Sequence, residues 1–180
     1  MADCPRPDPP SPFVTDWVKR LGERRHDGQR GLDVATGRGR HAIVLARAGV
    51  HTFAVDRSFE AVRAASSLAT AQGLSINAWC ADLTTAPLPR SYFDIIVVAR
   101  YLERALFDAL GEALRPGGTL LYETFTTQQP LHGRGPTSPD HLLRPGELLT
   151  AFPGLDVIVY EEVGDPDAVG RLVARRPRRR

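Results

Sequence analysis

The stretch Gly31-Leu-Asp-Val-Ala-Thr-Gly-Arg-Gly-Arg-His-Ala42 decides how the rest of the chain is read. Gly31 to Ala35 has the composition of a short buried strand, and Ile43 to Ala48 that of a helix. Gly37 and Gly39 lie between them. A strand that turns through glycines into a helix lets a ligand approach bare backbone and meet the helix's first N–H groups. Gly37-x-Gly39-x-x-Ala42 also fits the dinucleotide fingerprint G-x-G-x-x-G/A. The turn therefore predicts a nucleotide-type ligand without choosing one.

Outward from this turn, 180 residues with 42% hydrophobic content suit one globular domain with a single sizeable core. No run approaches the ~18 apolar residues of a membrane span. Met1 to Pro10 is proline-rich with no apolar stretch, so it reads as a disordered lead-in rather than a signal peptide. Cys4 and Cys80 are the only cysteines, too few for a disulfide framework or a thiolate metal site. The expectation is a cytoplasmic protein with reduced thiols, no membrane association and no metal. Lys19 is the only lysine among 23 basic residues, a bias of coding more than of a site. The basic tail, residues 176–180, reads as a solvated end, because no basic stripe with interleaved aromatics accompanies it. Residues 11–175 remain as the single domain.

Taken in order, Ser11-Pro12 is a helix start, and Phe13, Val14, Trp17, Val18 and Leu21 recur at helical spacing up to Gly22. That helix is expected to pack on the sheet, with cover of a ligand pocket by Trp17 as the sharper alternative. After the first strand and helix, Val50 to Asp56 reads as strand two, and Ser58 caps a helix ending near Gly73. Leu74 to Ala81 is strand three, and the apolar run Phe93 to Ala99 is a central parallel strand. Leu102, Leu106, Leu110 and Leu114 predict a helix stopped by Pro116-Gly-Gly118, and Thr119 to Phe125 is strand five. Thr126 to Pro145 is a long polar loop, and loops of that length are often functional. A short helix over 146–152 follows, then strands at 155–163 and 171–175 joined by a turn too short for a crossover helix, so these two are antiparallel. The whole predicts an α/β fold: a doubly wound, Rossmann-like sheet of seven strands, mostly parallel, with a C-terminal antiparallel hairpin.

In such sheets ligands sit outside the carboxyl ends of the strands, near the point where strand order reverses. That rule nominates Thr36 to Gly39 after strand one and Asp56, with its neighbour Arg57, after strand two. It also nominates Ala81-Asp82-Leu83 after strand three and Ala99 to Arg104 after strand four. A carboxylate at Asp56 can accept from a ribose diol. One at Asp82 can accept from an exocyclic amine while Leu83 packs on a ring.

The chain resembles the class I S-adenosylmethionine-dependent methyltransferases over roughly residues 31 to 175. The resemblance is carried by Asp33-x-Ala35-x-Gly37-x-Gly39, Asp56, Ala81-Asp82-Leu83, Phe93-Asp94-Ile-Ile and Leu114-Arg-Pro-Gly-Gly118. It implies S-adenosyl-L-methionine as cofactor. Gly37 and Gly39 would back onto its amino-acid part, Asp56 would hold the ribose and Asp82 the adenine amine; Asp33, Ala35, Thr36, Arg57, Ala81, Leu83 and Ala99 complete the expected cofactor site. The family usually has glycine where Ala35 stands, and alanine there is expected to keep ordinary strand dihedrals. Arg38 and Arg40 are expected to face solvent or the cofactor's carboxylate, because the cofactor carries a sulfonium cation. Pro10-Ser-Pro-Phe13, Tyr101-Leu-Glu-Arg104 and Tyr122-Glu-Thr-Phe125 are most similar to the small bacterial members related to tellurite-resistance methyltransferases, which implies a small or inorganic acceptor.

For the acceptor side, Arg100, Tyr101, Arg104, Glu123 and the 126–145 loop are expected to line the pocket, and two arginines there favour an anionic acceptor. A carboxylate inside a strand, as at Glu123, must face the pocket or find a partner. His132 and His141 are base candidates, whereas His41 is expected to pack or cap. Ala99-Arg-Tyr-Leu102 is unlike the Asn/Asp-Pro-Pro-Tyr loop of enzymes that methylate base amino groups, and no cysteine follows strand four, both of which argue against nucleic acid as acceptor. Two other classes stay open. One is a nicotinamide-dependent oxidoreductase, which would share the glycine turn and Asp56. The other is a non-catalytic module that binds the cofactor and acts with a partner. The sequence names no oligomeric state.

Overall fold

The computed structural model describes residues 9–22 and 28–178. Seven strands, β1 (Arg30–Val34), β2 (His51–Asp56), β3 (Ile76–Cys80), β4 (Phe93–Ala99), β5 (Leu114–Phe125), β6 (Asp156–Val163) and β7 (Val169–Arg175), form one sheet. Their order is β3-β2-β1-β4-β5-β7-β6. The first five run parallel, and β7 pairs antiparallel with both β5 and β6. The doubly wound sheet with its closing hairpin is therefore as expected. Strand order reverses between β1 and β4, which sets the crevice. The expected lead-in falls largely on residues 1–8, and the end of the tail on residues 179–180; both lie outside the described residues.

Period-two alternation along β4 divides the core. Ile95 and Val97 face a layer with Phe13, Val14, Val18 and Leu45, from α1 (Pro12–Gly22) and α2 (Arg40–Arg47). Ile96 and Val98 face the other layer, with Leu106, Leu110, Leu148 and Phe152. The helices of that second layer are α4 (Phe107–Ala113) and α5 (Glu147–Thr150), while α3 (Phe59–Ala71) packs on β2 and β3. Burial on both faces explains why β4 reads as an unbroken apolar run. Trp17 is half-buried against the first layer and lines no cavity of the crevice, so α1 serves the sheet.

The helix expected over 102–114 is shorter. Its four leucines are all buried, but Leu102 precedes the helix, Glu103 is extended and caps a 3-10 turn at Arg104–Leu106, and Leu114 already pairs with Phe93. Pro116-Gly117-Gly118 is not a stop between helix and strand but an irregular start to β5. Its register jumps from Leu114 to Thr119 against β4, and Gly117 takes φ 85. An added Cβ at Gly118 would sit 2.9 Å from the Arg115 carbonyl and 3.0 Å from that of Phe93, so the bulge requires glycine there. Among the described residues, no helix is long and apolar enough to cross a membrane.

Candidate active site

A cavity of about 640 Å³ lies at the carboxyl ends of β1 to β4. Its wall contains Val34 and Ala35 at the end of β1, Val55, Asp56 and Arg57 at the end of β2, Ala81, Asp82, Leu83 and Thr84 after β3, and Arg100 to Glu103 after β4. Phe125, Pro136 and His141 close it from β5 and the long loop. Of the residues nominated from sequence, Ala35, Asp56, Arg57, Ala81, Asp82, Leu83, Arg100, Tyr101, Leu102, Glu103 and His141 meet here. Thr84 is a wall residue that the sequence reading did not nominate. The signal that could have found it is the Asp82-x-Thr84 spacing just past strand three.

Backbone donors fix both carboxylates. Asp56 Oδ2 accepts from the Gly37 N–H and Oδ1 from the Ser58 N–H, each at 2.9 Å. Each oxygen keeps a second lone pair for a ligand hydroxyl. Asp82 Oδ1 accepts from the Thr84 hydroxyl at 2.7 Å and the Thr84 N–H at 2.9 Å, and these bonds hold its carboxyl below the usual range. Asp82 therefore presents an ionised acceptor at neutral pH. Tyr101 lines the same cavity. Partial burial, with Glu103 nearby, raises its phenol above the ordinary value. It is thus a hydrogen-bond donor at neutral pH and not a phenolate base.

The glycine turn departs from expectation in three respects. Asp33 lies beneath the loop, 1% exposed, where its Oδ2 accepts from the Thr36 hydroxyl at 2.6 Å and from the Ala42 N–H at 2.9 Å. Asp33 and Thr36 therefore brace the turn from inside and do not form the cavity wall, and one of the first helical N–H groups is already used. Ala35 takes φ 52, so the alanine that was expected to keep strand dihedrals sits in the left-handed region. A β-carbon there costs on the order of 1 kcal/mol, which explains why glycine is the easier residue at this position. Gly37 lines neither cavity and has open space where a Cβ would stand, whereas a Cβ on Gly39 would lie 2.7 Å from Ala65 Cβ. Gly39 serves the packing of α3 on the turn. Arg38 is exposed, and Ala99 is half-buried at the end of β4, outside the cavity wall.

A second cavity, about 550 Å³, adjoins the first and shares Arg100 and Phe125 with it. Arg40, Arg134 and Arg171 line it with Glu123, Asp167 and the Pro9–Pro12 segment. Glu123 both faces this cavity and has a partner. Its Oε2 accepts from Arg171 Nε at 2.7 Å, across the β5–β7 pair in which the two residues are directly opposite. His41 is 3% exposed, and its Nε2 accepts the Ser11 N–H at 3.1 Å, so it caps α1 as expected and carries no proton on that nitrogen. His132 is exposed and lines neither cavity.

Arg104 is the main correction on the acceptor side. It lines neither cavity. Its Nη2 donates to Glu147 Oε2 at 2.9 Å and to the Leu142 carbonyl at 3.0 Å, and Nη1 donates to the Asp140 carbonyl at 3.0 Å. Those bonds moor the 139–147 segment to the start of α4. Arg104→Ala is expected to lower stability by about 2 kcal/mol, the worth of a charge-assisted bidentate pair with its carbonyl bonds. Urea unfolding measures this, and a change below about 0.5 kcal/mol, the range of an ordinary surface site, would show that the mooring is not needed.

Residues 32–118 match the family model of a methyltransferase domain. Among solved structures, a S-adenosylmethionine-dependent methyltransferase from Clostridium acetobutylicum is similar with TM-score 0.75 and 15% identity, covering 94% of this chain and 93% of that one. TehB from Haemophilus influenzae is similar with TM-score 0.74 and 16% identity, over 93% of this chain and 62% of TehB. The [4+2]-cyclase SpnF has TM-score 0.74 and 18% identity, over 92% and 81%. No curated protein matches the sequence. Residues 32–118 thus match a methyltransferase domain, and the chain shares its fold with solved S-adenosylmethionine-dependent methyltransferases.

Proposed function

We propose that the protein transfers a methyl group from S-adenosylmethionine to a small acceptor that carries an anionic group. The observation that carries this reading is the pair of adjoining cavities with Arg100 in their shared wall. The first cavity fits the cofactor. Asp56 has lone pairs for the ribose diol, Asp82 is a fixed ionised acceptor for the adenine amine, Leu83 can pack on the ring, and Gly37 leaves room beside the turn. Bound there, S-adenosylmethionine supplies a methyl group on a sulfonium, open to in-line displacement. The protein's own part is then to align the acceptor and to keep water out. The long loop serves the second task through Pro136 and His141 at the cavity rim, and it is pinned by Thr127 N–H to the Leu143 carbonyl at 3.0 Å. His141 is the base candidate that remains at the cavity, for an acceptor whose nucleophile is protonated.

Calorimetry against S-adenosylmethionine, S-adenosylhomocysteine and NAD tests the cofactor. Binding of the first two with no NAD binding is expected, and a preference for NAD would sink the reading. Release of S-adenosylhomocysteine on adding pools of small anionic metabolites tests the transfer. Tight cofactor binding with no turnover on any pool would favour the non-catalytic module. The similarity to SpnF, named as a cyclase, is the reason to measure turnover as well as binding.

A further inference from the structure

Two guanidiniums from distant parts of the chain meet at one carboxylate beside the reaction cavity. Arg100 Nη2 lies 3.3 Å from Asp167 Oδ2, and Arg134 Nη2 lies 3.0 Å from Asp167 Oδ1. Gln129, wholly buried, donates its Nε2 to the same Oδ1 at 3.1 Å and accepts the Ala168 N–H on its Oε1. The end of β4, the long loop and the β6–β7 turn are thereby joined at a single point on the wall of the second cavity.

Arg100 is held there under strain. It takes φ 56, and its N–H donates to the Glu123 carbonyl at 2.8 Å. A non-glycine residue in this region is strained and persists only where its surroundings over-determine it. Ala35 has the same conformation at the end of the neighbouring strand, so both strand ends flanking the switch point are strained. The guanidinium of Arg100 lies 5.6 Å from the centre of the Phe125 ring. Contact of that kind uses the flat face of a guanidinium, while its N–H edge meets Asp167.

We infer that Arg100 and Arg134 together receive a carboxylate of the methyl acceptor, which makes the acceptor a small carboxylic acid with an apolar body. Asp167 displays the geometry, with one oxygen to each guanidinium. Guanidinium forks pair with two-oxygen edges, and the spacing displayed here is that of a carboxylate's two oxygens. In this arrangement Asp167 is a positioning residue, keeping the two guanidiniums turned toward each other. Phe125 and Val169 give the apolar body a wall. Because Arg100 also borders the cofactor cavity, an acceptor anchored on it stands beside the place where the methyl group is delivered, and alignment is what this reaction needs most. The inference rests on the methyltransferase reading above and adds the chemical class of the acceptor and the residues that choose it.

Benzoate, with its neutral isostere benzamide, is the probe, titrated into the full chain with S-adenosylhomocysteine present and followed by ligand-observed NMR. Benzoate is expected to bind about tenfold more tightly than benzamide, and Arg134→Gln to weaken benzoate about tenfold while moving S-adenosylhomocysteine affinity by less than about twofold. Arg90→Gln removes the same charge at an exposed residue that pairs with Glu112 and lines neither cavity, and it should leave benzoate binding unchanged. Equal affinity for the two probes, no benzoate binding, tighter binding of inorganic phosphate, or equal losses in the Arg134 and Arg90 variants would each overturn the proposal. Failure of S-adenosylhomocysteine to bind would instead overturn the cofactor reading, and titrating benzoate without it still reports on the arginine pair.

Discussion

Gly39→Ala is expected to destabilise the protein by about 3–4 kcal/mol, and Gly37→Ala by only about 1 kcal/mol, although both glycines belong to one turn and both have positive φ. The shared part is backbone strain, since φ is 83 at Gly39 and 54 at Gly37. Left-handed backbone costs an alanine roughly 1–2 kcal/mol relative to glycine, partly offset by the unfolded-state entropy that glycine loses. The difference lies in what a β-carbon would meet. At Gly37 nothing stands within 4 Å, whereas at Gly39 the new carbon would be 2.7 Å from Ala65 Cβ and 2.9 Å from Ala65 Cα. Ala65 is fully buried in α3, and the nearer contacts are short side chain and backbone, so no flexible group can swing aside. Either α3 or the turn must shift, at the 1–3 kcal/mol typical of overpacking. Urea unfolding of the two variants measures the gap, and equal losses would mean that α3 yields freely. The turn also carries Gly37 N–H to Asp56, so displacement at Gly39 should weaken cofactor binding as well, a second readout by calorimetry.

The fold was largely legible because period and length agree along most of the chain. Phe93 to Ala99 was read as a strand from its unbroken apolar run, and β4 has those bounds. The C-terminal hairpin followed from a turn too short for a crossover, and β6 and β7 are antiparallel. Where reading failed, tertiary structure overrode a local pattern. The leucine stripe from 102 to 114 correctly marked burial, yet only residues 107–113 are α-helical, because β-pairing with Phe93 claims Leu114. The carboxylates of the site were legible by their positions after strands. Their partners were not, since a sequence shows which residue ends a strand but not which loop returns to it. Arg104 looked like an acceptor ligand by position and is instead tied to Glu147, forty-three residues on. Arg134 and Asp167 went unremarked because only the folded loop and the β6–β7 turn bring them to Arg100. Asp33 was visible as part of a motif, but its burial under the turn depends on Ala42 and Thr36 closing over it.

That burial leads to a pH dependence visible only when one residue is removed. Desolvation pushes the Asp33 carboxyl up from 3.8 to about 7, against the pull of its bonds from Thr36 and Ala42 and the charge of Arg40. Desolvation, with Arg40 and Arg100 nearby, pushes His41 down from 6.5 to about 3. For Asp33 the folded state binds the extra proton between about pH 4 and 7, so this group makes stability fall as pH rises through that window. For His41 the unfolded state binds the extra proton between about pH 3 and 6.5, so this group makes stability rise with pH there. From about pH 4 to 6.5 the two contributions have opposite slopes of one proton each and largely cancel. Asp33→Asn keeps an oxygen to accept from both Thr36 and Ala42 while removing the titration. Relative to the parent protein, the variant should gain about 1.4 kcal/mol for each pH unit across this window, reaching about 3 kcal/mol near pH 6.5. The two proteins should converge below pH 3.8, where the parent's Asp33 is protonated in both states. Unfolding free energies of the pair at pH 4.5, 5.5 and 6.5 decide the matter. A difference that stays constant with pH would mean that Asp33 remains ionised in the folded protein, stabilised under the glycine turn by its two donors and Arg40 more strongly than burial opposes it.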